Sequence, residues 1–192
     1  MVTIELERAD DKAAVEALLD RAFGPERHRK TAQRLRDGQS PARGLSFVAR
    51  EDGRLVGTLR FWPVQIGDRH CALLLGPVAV DPDCRGRGIG ARLVTTGLAQ
   101  AKALRHRAVI LVGDVPYYER FGFSAALTAN MILPGPVDRA RFLALELVAG
   151  ALAGAAGAVV AEAKRSITPL PTQALADIRS PARVRIHGAR NA

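Results

Sequence analysis

A chain of 192 residues, 48% hydrophobic and 24% charged, has the length and balance of one folded domain, which excludes a disordered or fibrous protein. Two cysteines, Cys71 and Cys84, without C-x-x-C spacing exclude a disulfide scaffold and fit free thiols in a reducing, cytoplasmic setting. The formal charge of +9 invites a nucleic-acid partner, but six Lys/Arg against one Asp lie from Lys164 onward, so the preceding 163 residues carry only +4.

In chain order, "VTIELE" (2–7) alternates as a strand does, and Asp10 or Asp11 is placed to cap a helix to about Phe23 with Ala14, Leu18 and Ala22 on one face. A basic helical stretch follows over about 27–36. "LSFVARED" and "RLVGTLRFWPVQI" flank Asp52-Gly53, a strong hairpin signal. "CALLLGPVAV" (71–80) is a buried strand in which Gly76-Pro77 predicts a bulge or splay, because proline cannot donate to the ladder. Gly90, Leu93, Val94, Gly97, Ala101 and Leu104 share one helical face. "RAVILVG" is a doubly buried strand, and "VPYYERFG" a short helix with Asp114 placed to cap it. "SAALTANMIL" and "RFLALEL" are further strands. The order β-α-α-β-β-β-α-β-α-β-β describes a single mixed α/β domain with one central mixed sheet, splayed after its fourth strand. Residues 1–163 form that domain, and 164–192 a basic, proline-containing extension. "VAGALAGAAGAVVA" (148–161) is shorter than a membrane span and broken by three glycines, and "MVTIELERADD" lacks the layout of a secretory leader, so no membrane partner is expected.

The chemistry sits in "DPDCRGRGIGARLV" (81–94), a glycine loop between a strand and a helix. A P-loop requires Gly-Lys, which occurs nowhere in the chain. Gly86, Gly88 and Ala91 fit the spacing of a dinucleotide fingerprint, but five residues separate the strand from Gly86, some 70 residues precede the unit, and it is the only βαβ unit. The remaining pattern is R-x-x-G-x-G, with Arg85, Gly88 and Gly90. Glycines let backbone N–H groups converge on a phosphate, and the helix opening near Ile89 adds its positive end. Arg85, Arg87 and Arg92 add charge at the rim.

With "GPVAVDPDCRGRGIGARLV" and "GDVPYYERFGF" in order, the chain resembles the GNAT superfamily of N-acetyltransferases, specifically over about 71–123 and consistently over 1–148. The resemblance implies an acetyl-CoA-dependent N-acetyltransferase acting by direct attack in a ternary complex, with no metal. It places the CoA pyrophosphate on Arg85, Gly86, Arg87, Gly88, Ile89, Gly90 and Ala91. The pantetheine pairs with Val78, Ala79 and Val80, and a backbone N–H near Val80 polarises the thioester carbonyl. Tyr118, four residues before the Gly of "YERFGF", matches the family's general acid. Adjacent helical residues point about 100° apart, so one of Tyr117 and Tyr118 is expected to face the site, and Tyr118 is favoured. Phe121 and Phe123 are read as core and as a pantetheine wall, and Phe61 and Trp62 as core in preference to acceptor pocket. No base is assigned among Asp114, Glu51, Asp68 and His70. His28, His70, His106 and His187 lack ligand spacing, and Cys84 is a passive thiol.

The acceptor is a small-molecule or peptide amine, selected by residues 24–45 and 60–70, and a homodimer stays open. Two other classes remain: a non-catalytic acyl-CoA sensor, and a nucleic-acid binder driven by the basic tail, the less favoured of the two.

Overall fold

The structure, a computed structural model, describes residues 1–162. The extension read over 164–192 lies outside the described residues. Strands β1 (Val2–Leu6), β2 (Ser46–Glu51), β3 (Arg54–Ile66) and β4 (His70–Val80) pair antiparallel in sequence order. β5 (Ala108–Val112) runs parallel to β4 and antiparallel to β7 (Phe142–Glu146). β8 (Gly157–Ala161) joins the far half of β3, and the two-residue β6 (Met131–Ile132) pairs with β8. The mixed sheet expected from the sequence is present. The Asp52-Gly53 hairpin forms with both residues at positive φ, 51° and 80°, the conformation a two-residue turn between twisted strands requires.

Helix α1 (Lys12–Phe23) buries Val15, Leu18 and Leu19 against Val48, Leu55 and Ala79. Ala14 is exposed, contrary to the expected face. Asp11 does not cap α1 with its side chain; it accepts from Arg8 N at 2.9 Å, which caps the 3-10 turn Ala9–Asp11, and pairs with Arg50. The basic stretch is a 3-10 turn (Pro25–Arg29) followed by a one-turn α2 (Thr31–Arg34). Helix α3 (Ile89–Ala103) lies so close to β3 that a Cβ at Gly97 would stand 2.6 Å from the Phe61 ring. Leu104 ends outside that contact, 45% exposed just past the helix.

Two differences from the expected elements have local causes. "SAALTANMIL" is mostly turn: Ser124 bridges Ala144, Ala126–Thr128 form a 3-10 turn, and only Met131–Ile132 extend. β8 falls in the glycine- and alanine-rich run, which has no alternation to mark a strand. The apolar residues divide into clusters around α3 (Leu59, Phe61, Leu93, Val94), α1, and the α2 side (Leu35, Trp62, Leu74, Phe142).

Candidate active site

The strand–loop–helix junction is built locally. Buried Asp81 accepts from Asp83 N at 3.2 Å and holds Arg21 at 3.1 Å, fixing the turn Pro82–Cys84. Gly88 then sits at φ 75° as the N-cap of α3, a left-handed conformation that glycine adopts without strain. No side chain caps this end. The first N–H groups of any α-helix lack intrahelical partners, so those of α3 are open at the loop. Ile89 is buried in the core, while Arg85, Gly86 and Gly88 are exposed.

The rim charge is less than the sequence suggests. Arg87 donates to both carboxylate oxygens of Glu51, at 2.8 and 2.5 Å, and each group shifts the pKa of the other toward the charged form. Arg92 donates to Val2 O at 3.1 Å. Arg87 and Arg92 are thus turned back onto β2 and β1, and Arg85 is the loop arginine without such a bond among the described residues.

β4 leaves an edge open beside the loop. Its parallel pairing with β5 covers only Leu73↔Val109 and Leu74↔Ile110. The register with β3 then slips: Phe61 faces Leu75, but Leu59 faces Val78, so Gly76 and Pro77 bulge opposite Arg60. Trp62 Nε1 donates to Gly76 O at 2.6 Å and anchors the bulge from the core. Beyond it, Asp81 N donates to Val56 O at 2.9 Å. Antiparallel ladders alternate bonded and non-bonded pairs, so Val78 and Val80 turn their backbone groups away from β3, toward the splayed β5 side. Ala79 is buried against α1. Gly76-Pro77 therefore does what its sequence predicts.

Helix α4 (Val115–Glu119) faces this edge. Asp114 accepts from Tyr117 N at 3.2 Å and starts it. Tyr117 and Tyr118 stack edge to face, with ring centroids 4.9 Å apart. Tyr118 packs on Gly113 so tightly that a Cβ there would lie 2.2 Å from its Cε2. Burial, with Tyr117 and Asp114 nearby, raises the Tyr118 pKa above 10, so the phenol keeps its proton. The Tyr117 hydroxyl reaches over α3, 2.8 Å from where a Gly90 Cβ would sit. Both tyrosines line the cavity, where sequence spacing expects one. Phe123 is core and Phe121 half-buried, and neither lines the cavity.

A cavity of about 710 Å³ joins these parts, from Val80, Gly90 and the tyrosines to α2. Its second wall comes from Phe23 and residues 27–36, the latter inside the expected 24–45, and from 136–141, which sequence reasoning missed. No residue of 60–70 contributes; Phe61 and Trp62 are core. Among the base candidates only Asp114 lines the cavity; Glu51 is tied to Arg87. The added wall carries Asp138 and Arg141, with no motif to announce them.

Residues 12–123 match the Acetyltransferase (GNAT) family model. The N-acetyltransferase YhbS of Escherichia coli is 32% identical over 158 residues, covering 81% of this chain and 93% of that protein. The crystal structure of YhbS in complex with CoA aligns with a TM-score of 0.72 over 83% of this chain and 89% of that one. A GNAT family acetyltransferase from Brucella melitensis, crystallised in complex with acetyl-CoA, is 32% identical with a TM-score of 0.56, over 76% of this chain and 96% of that one. The fold, the open β4 edge and these likenesses agree: the chain belongs to the acetyltransferase (GNAT) family and is an acyltransferase.

Proposed function

We propose that the protein moves the acetyl group of acetyl-CoA to a primary amine by direct attack, with both substrates held in the cavity beside the β4 edge. The observation that carries this is the open edge at Val78–Val80 beside the uncapped end of α3, with the protonated Tyr118 lining the same space. Acetyl-CoA, when bound, supplies an activated thioester. The backbone N–H groups from Gly88 to Ala91 receive the pyrophosphate, and Arg85 adds its charge. The outward-turned groups of Val78 and Val80 pair with the pantetheine amides as an added strand would. An N–H near Val80 meets the thioester carbonyl oxygen and stabilises negative charge there.

Tyr118 Oη holds a proton for the departing thiolate. Burial makes this phenol a weaker acid than usual. The same burial destabilises a thiolate formed beside it, so donor and acceptor shift together. Asp114 lines the same cavity as Tyr118, which supports it as the group that receives a proton from the amine through water. The deciding experiment incubates the protein with acetyl-CoA and a panel of amines, followed by mass spectrometry. N-acetylated product is expected from at least one class. Intact CoA binding with no product from any amine replaces this reading with that of a non-catalytic sensor.

A further inference from the structure

The far wall of the cavity is basic, and its charge is only partly spent among the described residues. Five cationic side chains line the cavity, from Arg27, Arg29, Lys30, Arg36 and Arg141, against two carboxylates, Asp114 and Asp138. Arg27 is neutralised by Glu16 and Asp20, both at 2.7 Å, and Arg29 by Glu26 at 2.8 Å. Lys30, Arg36 and Arg141 have no carboxylate within ion-pair distance among the described residues. Lys30 rests over the Phe23 ring at 4.6 Å, and Arg141 spends Nε on Gly113 O at 3.3 Å.

Arg36 is the informative one. It is half-buried just past α2, and its Nε donates to Ala32 O at 3.2 Å. Its two Nη groups have no hydrogen-bond acceptor among the described residues. Its neighbour Asp37 is turned away, accepting from Gln33 Nε2 at 2.6 Å. Burial, with Arg27 nearby, lowers its pKa to about 10, so it stays charged at neutral pH. A desolvated guanidinium without an anion is costly, and a fork of free N–H donors matches a carboxylate or phosphate in shape. Arg36 and the glycine loop belong to different parts of the fold. Ile89 at the loop packs into the α3 cluster, whereas Ala32 and Leu35 beside Arg36 pack into the cluster on the α2 side.

We propose that the acceptor is an amine that also carries a carboxylate or phosphate, and that Arg36, flanked by Lys30 and Arg141, seats that anion. Asp114, near Tyr118, faces the opposite charge of the amine. The inference rests on the acetyltransferase reading and names the substrate class of that site.

The test compares matched amines that differ only in the anion: glycine against glycinamide, and phosphoethanolamine against ethanolamine. Each kcat/KM is corrected for the fraction of free amine. The charged member is expected to exceed the neutral one by about tenfold or more, the effect of one charge-assisted hydrogen bond. The arm with the larger ratio identifies the anion. That ratio should fall toward one in Arg36→Met and return in part in Arg36→Lys. A wild-type ratio near one in both arms overturns the proposal without needing any variant, and leaves the acetyltransferase reading standing. Calorimetry of succinate and inorganic phosphate with CoA-saturated protein gives a readout independent of turnover. Binding lost in Arg36→Met supports the anion seat even if no amine is acetylated, an outcome that removes the acetyltransferase reading alone. Binding absent in the wild type, or unchanged in Arg36→Met, overturns the anion seat.

Discussion

Tyr118 combines two properties at the residue scale: a phenol whose burial keeps it protonated, and a ring held in place by the absence of a side chain at Gly113. The two are separable. Tyr118→Phe keeps the packing and removes the proton; turnover is expected to fall roughly tenfold to a hundredfold at neutral pH, within the range of a lost general acid. Coenzyme affinity should change little in calorimetry. An unchanged rate removes Tyr118 from the chemistry. Gly113→Ala keeps the phenol and moves the ring, because the new Cβ would stand 2.2 Å from Cε2. It is expected to lose activity comparably with Tyr118 untouched, so a normal rate in this variant means the ring position is unimportant. Tyr118 was legible in the sequence through the Tyr-x-x-x-Gly-Phe order, but its partner Gly113 was not. A glycine that ends a strand gives no sign of which ring rests on it.

At the scale of elements, legibility follows contiguity. The wall of the cavity along the β4 edge comes from one run, Leu74 to Gly90, in which strand, bulge, loop and helix start follow one another. Its parts can therefore be read in order: Gly76-Pro77 announces the splay, and Gly88 the helix cap. The opposite wall is assembled from Phe23–Arg36 and Pro136–Arg141, a hundred residues apart and without period or motif. Likewise β8 was hidden because Gly157–Ala161 gains its strand character from pairing with β3, not from alternation. The loop itself carries the prediction for this scale. A Cβ at Gly88 meets nothing within 4 Å, so Gly88→Val introduces no clash inside the protein. The substitution acts through φ 75°, which valine resists, and through the bulk it presents to a ligand at the uncapped α3 end. CoA binding by calorimetry is expected to be abolished, while the unfolding midpoint shifts only modestly. Retained affinity would remove the loop from the coenzyme site.

Across the whole molecule, a polar network ties the elements that frame the cavity. Arg60 on β3, 8% exposed, donates to both oxygens of Glu7 at 2.6 and 2.8 Å and to Glu16 of α1 at 2.9 Å. Glu16 in turn holds Arg27, which follows α1 and lines the cavity. One guanidinium therefore joins the end of β1, α1 and the centre of the sheet, directly opposite the Gly76-Pro77 bulge. Burial pushes the Glu16 carboxyl up, but Arg60 and Arg27 together outweigh it and hold its pKa below 4.5. A carboxylate with a depressed folded pKa contributes stability above its unfolded value, and that contribution is lost as pH falls through the folded one. Arg60→Met removes the partner and leaves Glu7 and part of Glu16 uncompensated. Chemical denaturation near pH 7 is expected to show a loss of about 3 kcal/mol, the low end for breaking a buried pair because Glu16 is partly solvated. The difference between wild type and variant should narrow as pH drops below about 4.5, since a protonated Glu16 carboxyl no longer needs the arginine. A gap of constant size from about pH 7 down to pH 3 would assign the loss to the packing of the Arg60 stem. A narrowing gap assigns it to the ion pairs that hold α1 against the sheet and, through Glu16, hold Arg27 at the cavity wall.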